Sequence, residues 1–207
     1  MPTPVVFVVD DDISVRESLE LLIESAGWRV ELFASARDFL AHPRANVPCC
    51  LVLDVSLPDL NGLELQQRIA ADRVELPIVF ITGHGDIPMS VRAMKAGATE
   101  FLTKPFKDDA LLDAIRNAIE RSTAALSREL ELKTLRESYA ALSRREREVM
   151  ALVVSGKLNK QVGGELGISE ITVKAHRGKV MRKMKAGSVA DLVKMAGKLS
   201  SPPASRA

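Results

Sequence analysis

The chain of 207 residues is long enough for two small domains. Its content of 46% hydrophobic and 27% charged residues excludes a disordered or fibrous protein. No apolar run approaches the roughly 18 residues of a membrane span, and the first ten residues lack the pattern of a secretory signal. We therefore expect a cytoplasmic protein that does not contact the membrane. The two cysteines, Cys49 and Cys50, lie in an apolar stretch, which favours buried reduced thiols over a disulfide framework.

The net charge of +2 conceals two segments of opposite sign. Residues 1–141 carry 15 Lys and Arg against 22 Asp and Glu, a net charge of −7. Residues 142–198 carry 13 against 5, a net charge of +8. A small basic segment favours a polyanionic partner, most often nucleic acid, although a solvated Lys-rich surface gives the same count.

The first 120 residues alternate short apolar runs with helix-like segments, which is the pattern of successive βαβ units. Strands are predicted at 5–9, 28–32, 50–55, 77–82 and 99–103, and helices at about 13–26, 35–41, 61–71, 87–95 and from 108 onward. The sequence thus predicts an α/β fold for residues 1–120, with a five-stranded, doubly wound parallel sheet that carries helices on both faces.

A long helix is predicted to follow this sheet. From Asp108 to about Leu142 there is neither Gly nor Pro, and leucines and isoleucines recur at helical spacing. We interpret residues 121–141 as a linker helix, in which the leucines from Leu126 to Leu135 form either an intramolecular core face or a dimer seam. Residues 142–199 show four short helical segments separated by glycines, which predicts an all-α domain, and residues 200–207 form a tail.

Polar side chains that can bind ligands or take part in a reaction follow four of the five predicted strands. They are Asp10, Asp11 and Asp12 after the first strand, Asp54 at the end of the third, Thr82 at the end of the fourth, and Lys104 after the fifth. The ligand-binding and active sites of open α/β sheets lie at the carboxyl ends of the strands. Carboxylates brought together there repel one another unless they are protonated or bound to a hard cation, and oxygen ligands suit Mg²⁺. We interpret Asp12 as the N-cap of the helix that follows.

Four segments carry a family resemblance: VVDDD at 8–12, LDVSLPDLNG at 53–62, FITGHGD at 80–86 and AGATEFLTKPF at 96–106. In order and spacing they resemble the receiver domain of two-component response regulators, over about 120 residues. The resemblance implies the flavodoxin-like strand order 2-1-3-4-5.

The same resemblance implies roles for individual residues. Asp54 would be the phosphoacceptor. Mg²⁺ or Mn²⁺ would be held by Asp10, Asp11, Asp54 and the backbone carbonyl of Ser56, and the phosphoryl group would be contacted by Thr82 and Lys104. Phe101 occupies the position of the family's switch aromatic, although a plain core phenylalanine is the alternative. We interpret His84 as a loop residue at the rim of the site.

The basic segment has a helix-turn-helix pattern. A short predicted helix at about 159–166 ends at Gly167, and the next helix starts after Ser169, which is a plausible cap. The segment resembles the LuxR-type DNA-binding domain, and HRGKVMRKM together with the receiver resembles the FixJ branch of the NarL/FixJ response regulators. Gly163 and Gly164 lie inside the first of these helices, where glycine costs about 1 kcal/mol each relative to alanine, so we expect this helix to be marginally stable.

A helical projection divides the second of these helices into two faces. Val173, Val180 and Met184 fall on one side and are predicted to pack inward. The opposite side carries cations around small residues, which suits close approach to the major groove. The predicted DNA-binding residues are Lys160, Thr172, Lys174, Ala175, Arg177, Gly178, Lys179 and Arg182. Of these, Lys174 is predicted to read a base edge, and Lys160, Lys179 and Arg182 to hold phosphates.

Together the two resemblances imply a transcriptional response regulator and not an enzyme in the ordinary sense. A partner histidine kinase would phosphorylate Asp54, and the modified chain would form a homodimer on promoter DNA, with RNA polymerase as a further partner. One alternative keeps the DNA binding but treats the receiver as an unphosphorylated dimerisation module. Another is a phosphohydrolase of the haloacid-dehalogenase type that uses Asp10 and Asp12, against which Asp54, Lys104 and the DNA-binding segment argue.

Overall fold

The N-terminal part of the chain contains a parallel sheet. The computed structural model describes residues 3–43, 46–72, 76–83 and 85–200, and His84 and the last seven residues of the predicted tail lie outside them. The strands among these residues are β1 Val5–Val9, β2 Arg29–Phe33, β3 Cys49–Asp54, β4 Ile78–Thr82 and β5 Glu100–Thr103. They pair in parallel in the order β2-β1-β3-β4-β5. The predicted fold class and strand order are confirmed, and the strand bounds agree within one residue.

Helices cover both faces of this sheet. Those that precede the last strand are α1 Ile13–Ser25, α2 Ala36–Ala41, α3 Gly62–Asp72 and α4 Ile87–Lys95. Since successive residues of a strand point to opposite faces, a buried strand supplies two cores. Phe7 and Phe80 join the core that includes Phe39 of α2 and Leu65 of α3. Val52 points to the opposite face and joins the core that contains α1.

Helix α5 spans Asp108–Ala140, and the chain divides into two compact units after Ser127, within this helix. Leu111, Ile115 and Ile119 at its beginning lie in the sheet core. Leu135 packs in the core of the second unit, whereas Leu130 is 64% exposed. The predicted core face therefore exists at Leu135, and a dimer seam at Leu130 stays a prediction. The domain limits predicted at 120 and 141 also stay predictions.

The second unit contains, after the end of α5, four helices among the described residues: α6 Arg144–Val154, α7 Asn159–Leu166, α8 Glu170–Met184 and α9 Val189–Ser200. The predicted all-α domain is confirmed. Its core includes Val149, Val162, Val173, Val180 and Leu192. No helix in the described part of the chain is both long and apolar enough to cross a membrane.

Local signals start and stop these helices. The Ser143 hydroxyl accepts a hydrogen bond from the Glu146 amide at 3.2 Å, and the Glu146 carboxylate accepts one from the Ser143 amide at 2.8 Å, a capping box at the start of α6. Gly167 ends α7 in the left-handed conformation, with φ of 64°. Ser169 caps α8 by accepting a hydrogen bond from the Thr172 amide at 3.1 Å, as predicted.

The two glycines of α7 differ in a way that the sequence did not reveal. A Cβ atom at Gly163 would lie 2.7 Å from the carbonyl oxygen of Ile168, because the chain folds back closely after Gly167. A Cβ atom at Gly164 would meet open space. Gly163 is therefore needed by the close packing of the turn, whereas Gly164 has no such packing role. The expected marginal stability of this helix stays a prediction.

Candidate functional site

Two carboxylates and a hydroxyl are buried at the carboxyl ends of the central strands. Asp10 directly follows β1 and is 1% exposed, and Asp54 is the last residue of β3 and is 5% exposed. Thr82, the last residue of β4, is fully buried. Asp11 is exposed. Parallel pairing of β1 with β3 and of β3 with β4 places these strand ends side by side, as predicted.

Lys104 bridges the two carboxylates. Its Nζ lies 2.7 Å from Asp10 Oδ2 and 3.4 Å from Asp54 Oδ1. The backbone amide of Lys104 donates to the Thr82 carbonyl oxygen at 2.7 Å, which holds the lysine at the same edge of the sheet. The structure therefore brings four predicted residues, Asp10, Asp54, Thr82 and Lys104, to one pocket.

Backbone and side-chain donors fix the orientation of both carboxylates. Asp10 Oδ1 accepts a hydrogen bond from the Asp12 amide at 3.0 Å, and Asp54 Oδ2 accepts one from the Ser56 amide at 2.9 Å. Arg16 Nη1 donates to the Asp10 carbonyl oxygen at 2.6 Å. Arg16 was missed in the sequence, where a basic residue near the start of a helix carries no signal of this contact.

The pocket raises the proton affinity of Asp54. Burial, which removes the carboxylate from water, raises its pKa above the ordinary value, and the negative charge of Asp10 adds to this effect. The Lys104 ammonium and the Ser56 amide oppose the rise without cancelling it. Burial by itself would lower the pKa of Lys104, but hydrogen bonding to Asp10 and the charges of both carboxylates outweigh burial, so this pKa is raised. Two carboxylates face one ammonium here, so Asp10, Asp54 and Lys104 together have a formal charge of −1.

The pocket has donors of the kind that a hard divalent cation takes. Asp10 and Asp54 are buried carboxylates, and Asp11 lies at the end of the same strand as Asp10. Such oxygen donors, in a site with surplus negative charge, suit Mg²⁺. Among the described residues, no three side chains of the types His, Cys, Asp and Glu lie close enough together to hold a metal ion. Of the three predicted carboxylates, Asp10 and Asp54 meet without Asp11, and the Lys104 ammonium is the cation between them.

Asp12 lies at the start of α1 and caps this helix. Its Oδ1 accepts hydrogen bonds from the amides of Ser14 at 2.8 Å and Val15 at 3.4 Å. The prediction of an N-cap is therefore confirmed.

Two glycines allow the pocket to form, and neither was singled out for this purpose in the sequence. A Cβ atom at Gly62 would lie 2.6 Å from the Asp54 carbonyl oxygen, so the start of α3 approaches the strand end as closely as glycine allows. A Cβ atom at Gly85 would lie 3.0 Å from the Phe101 ring and 3.1 Å from the Thr82 methyl group. Close approach of backbone to backbone or to buried side chains is what glycine permits.

Phe101 lies next to the pocket on β5 and is half-buried. Its ring packs against Phe80, with centroids 6.0 Å apart, at the edge of the sheet core. The partial exposure of this ring leaves both predicted roles, a switch and a core residue, compatible with its position.

The second unit presents a basic face on α8. Val173, Val180 and Met184 are buried, whereas the residues of the opposite face are exposed, as the helical projection predicted; these exposed residues are Lys174, Ala175, Gly178, Lys179 and Arg182. Lys160 is exposed at the start of α7.

Two of the predicted DNA-binding residues have contacts within the domain. Arg177 Nη1 donates to Asn159 Oδ1 at 2.9 Å and so joins α8 to the start of α7. The Thr172 hydroxyl lies 2.8 Å from the Ser169 hydroxyl at the cap of α8. Both residues are half-buried, so they have a structural role whether or not they also contact DNA.

A buried ion pair inside this domain was missed. Glu146 of α6 is 4% exposed, and its Oε2 lies 2.7 Å from Lys183 Nζ of α8. Lys183 also donates to the Ala141 carbonyl oxygen at 3.0 Å, just after the end of α5. The Lys183 ammonium, followed by the Ser143 amide, lowers the pKa of Glu146 to about 2. Lys183 is thus a cation of α8 that stabilises the domain internally.

Comparison with known proteins agrees with both parts of this geometry. Residues 6–116 match the family model of the response regulator receiver domain, and residues 140–196 match that of the bacterial regulatory proteins of the luxR family. Nodulation protein W of Bradyrhizobium diazoefficiens is 52% identical, over 92% of this chain and 84% of its own length. The transcriptional regulatory protein FixJ of Rhizobium meliloti is 42% identical, over 92% of this chain and 94% of its own length.

Solved structures show the same similarity. The response regulator StyR is 49% identical with a TM-score of 0.86, over 95% of this chain and all of its own. Full-length FixJ from B. japonicum is 40% identical with a TM-score of 0.55, over 94% of this chain and 96% of its own. The chain therefore belongs to the NarL/FixJ family of two-component response regulators, with a receiver domain followed by a LuxR-type DNA-binding domain, and is a transcriptional regulator.

Proposed function

We propose that Asp54 accepts a phosphoryl group from a partner histidine kinase, and that this modification promotes dimerisation and binding to promoter DNA in the cytoplasm. The bridge from Lys104 to Asp10 and Asp54 is the observation that carries the proposal. It combines a nucleophilic carboxylate and a cation in a buried pocket, which is what transfer of an anionic group requires.

The two oxygens of Asp54 differ in a way that assigns the nucleophile. Oδ2 accepts the Ser56 amide, whereas Oδ1 faces Lys104 at the longer distance of 3.4 Å. Oδ1 attacks phosphorus in line; the new P–O bond forms as the P–N bond to the kinase histidine breaks, and its electron pair remains on the imidazole. Lys104 neutralises charge on the phosphoryl oxygens, and the Thr82 hydroxyl donates a hydrogen bond to one of them.

Asp10, Asp11, Asp54 and the Ser56 carbonyl oxygen are the residues that would hold Mg²⁺, or Mn²⁺ in its place. When bound there, such a cation supplies further neutralisation of the phosphoryl charge. The formal charge of −1 on Asp10, Asp54 and Lys104, and the carboxylate oxygen donors of the pocket, support this part of the proposal.

Phosphorylation is coupled to the surface through Thr82 and Phe101. A hydrogen bond to the new phosphate moves the Thr82 hydroxyl toward Asp54 and opens space beside it. Gly85 lies against both side chains, and the Phe101 ring turns inward as the Thr82 side chain moves. This changes the face formed by α4, β5 and α5, on which the phosphorylated chains dimerise.

The basic face of α8 enters the major groove of DNA. Lys174 reads a base edge, whereas Lys160, Lys179 and Arg182 hold phosphates. Ala175 and Gly178 allow the helix to approach closely, and Thr172 and Arg177, which are tied to Ser169 and Asn159, position the helix and contact the backbone. RNA polymerase is the partner that the protein contacts once it is bound to the promoter.

The phosphoacceptor is tested by incubating the protein with a small phosphodonor and Mg²⁺. We expect an acid-stable, hydroxylamine-labile phosphoryl group on the wild type, none on Asp54→Ala and a strongly reduced amount on Lys104→Ala. Lys107→Ala, which removes an exposed lysine three residues away, is the matched control and should label normally. Labelling that persists in Asp54→Ala refutes the proposal.

DNA binding is tested with and without phosphorylation at matched salt. Affinity should rise on phosphorylation and fall steeply with added salt, because each phosphate contact releases counterions. Equal affinity in both states would favour the alternative in which the receiver is a dimerisation module that works without phosphorylation. An affinity that does not change with salt concentration would contradict the proposed phosphate contacts of Lys160, Lys179 and Arg182.

A further inference from the structure

Helix α8 exposes an isoleucine that the packing of the domain does not use. Ile171, the second residue of α8, is 83% exposed, the highest value among the large hydrophobic residues described. The start of the helix is secured by Ser169, whose hydroxyl accepts the Thr172 amide, so Ile171 has no part in the cap. The hydrophobic cluster of this domain does not include it.

Helical geometry places Ile171 at the N-terminal end of the basic face. At about 100° per residue, Ile171 points away from the buried stripe that contains Val173 and Val180. Lys174 and Arg182 share its side of the helix, and both are exposed. An apolar group that shares a helix face with cations is poorly suited to an apolar protein surface, because the cations would lose their hydration, but it is well suited to a polyanion that carries apolar groups between its charges.

We propose that Ile171 contacts the 5-methyl group of a thymine in the major groove and so selects thymine at one position of each half-site. This inference rests on the proposed DNA binding and adds a determinant of sequence specificity to it. The thymine methyl is the apolar group that base pairs present in that groove, and the first residues of a recognition helix are those that reach base edges. The net charge of +8 on residues 142–198 supplies the complementary attraction to DNA.

The chemistry of isoleucine fits this role. Its side chain neither donates nor accepts a hydrogen bond, so it distinguishes bases by contact with the methyl group alone. Its β-branch restricts χ1 within a helix, so little rotamer freedom is lost when the side chain is covered. Removing one buried methyl group from such a contact should weaken binding about three- to fivefold.

The test uses the full-length chain and DNA duplexes that the wild type selects from a random pool. Each thymine of the selected duplex is replaced singly by deoxyuracil, which lacks the 5-methyl group and pairs identically. We expect one thymine per half-site at which this replacement weakens wild-type binding about three- to fivefold. Ile171→Ala should bind the thymine duplex weaker by a similar factor and be indifferent to deoxyuracil there, whereas Ile171→Val should keep part of the discrimination.

Leu21→Ala, which removes another exposed aliphatic side chain on α1 of the receiver, is the matched control and should retain the full sensitivity to deoxyuracil. Equal sensitivity of the wild type and Ile171→Ala at every position overturns the inference. So does normal DNA binding by Ile171→Ala with reduced transcription by purified RNA polymerase, which would assign Ile171 to a protein contact. If the wild type selects no sequence and binds no duplex, the proposed DNA binding itself fails, and this inference fails with it.

Discussion

The two adjacent glycines of α7 should respond in opposite directions to the addition of one methyl group. In Gly164→Ala the new Cβ atom meets open space, so the substitution gains the helix propensity of alanine, worth about 0.5–1 kcal/mol. In Gly163→Ala the Cβ atom would lie 2.7 Å from the Ile168 carbonyl oxygen. The Ile168 amide donates to the Gly163 carbonyl oxygen at 3.0 Å, so this turn cannot move away without losing a hydrogen bond.

Overpacking of this kind costs about 1–3 kcal/mol, which exceeds the gain in propensity, so Gly163→Ala should destabilise the domain by about 1–2 kcal/mol. The assay is native-state hydrogen exchange of the full-length chain, read at the amides of α7 and α8, which reports the free energy of local opening. DNA affinity should fall only for Gly163→Ala, because Ile168 directly precedes the cap of α8. If both substitutions change the opening free energy in the same direction and by the same amount, the close approach at Gly163 is not what fixes this turn.

Two further perturbations have defined outcomes. Glu146→Gln removes the charge that faces Lys183 and should destabilise the DNA-binding domain at pH 7 by about 1–3 kcal/mol. Because the pKa of Glu146 in the folded state is lowered to about 2 from 4.5, the stabilisation by this carboxylate is present above about pH 4.5 and is lost as the pH falls toward 2. Denaturation of the wild type and of Glu146→Gln between pH 7 and pH 2 should show the difference in their free energies of unfolding shrinking as the pH falls. A constant difference would contradict the ion pair. Gly85→Ala should lower the unfolding midpoint of the receiver and slow phosphorylation, because the new Cβ atom would press on Thr82 and Phe101. In Gly83→Ala the new Cβ atom has no neighbour within 4 Å, so this control should behave as the wild type in both measurements.

Sequence was most informative where a feature is local. The strands of the sheet were placed within one residue because each is a short apolar run bounded by Gly, Pro or polar residues. The two faces of α8 follow from a period of 3.6 residues, so Val173 and Val180 were correctly predicted inside and Lys174 outside. Caps such as Asp12 and Ser169 lie within three residues of the amides that they bind.

Contacts between distant segments left no such signal. Lys104 and Asp10 are 94 residues apart, and the lysine lies closer to Asp10 than to Asp54 although β3, which ends at Asp54, is nearer to β5 in the sheet than β1 is. The resemblance named both residues, but it did not give this asymmetry. Glu146 and Lys183 are 37 residues apart, and in the sequence neither can be distinguished from an ordinary charged residue on the surface of a helix.

The sequence by itself thus determined the elements of this protein, the charge of its two segments and the residues of its pocket, because periodicity, composition and motif spacing are properties of neighbouring residues. Only the tertiary structure decided how those residues are used. It tied Arg177 to Asn159, Lys183 to Glu146 and Arg16 to the backbone of Asp10. It also separated Gly163 from Gly164, since the room around a side chain depends on segments that the local sequence does not contain.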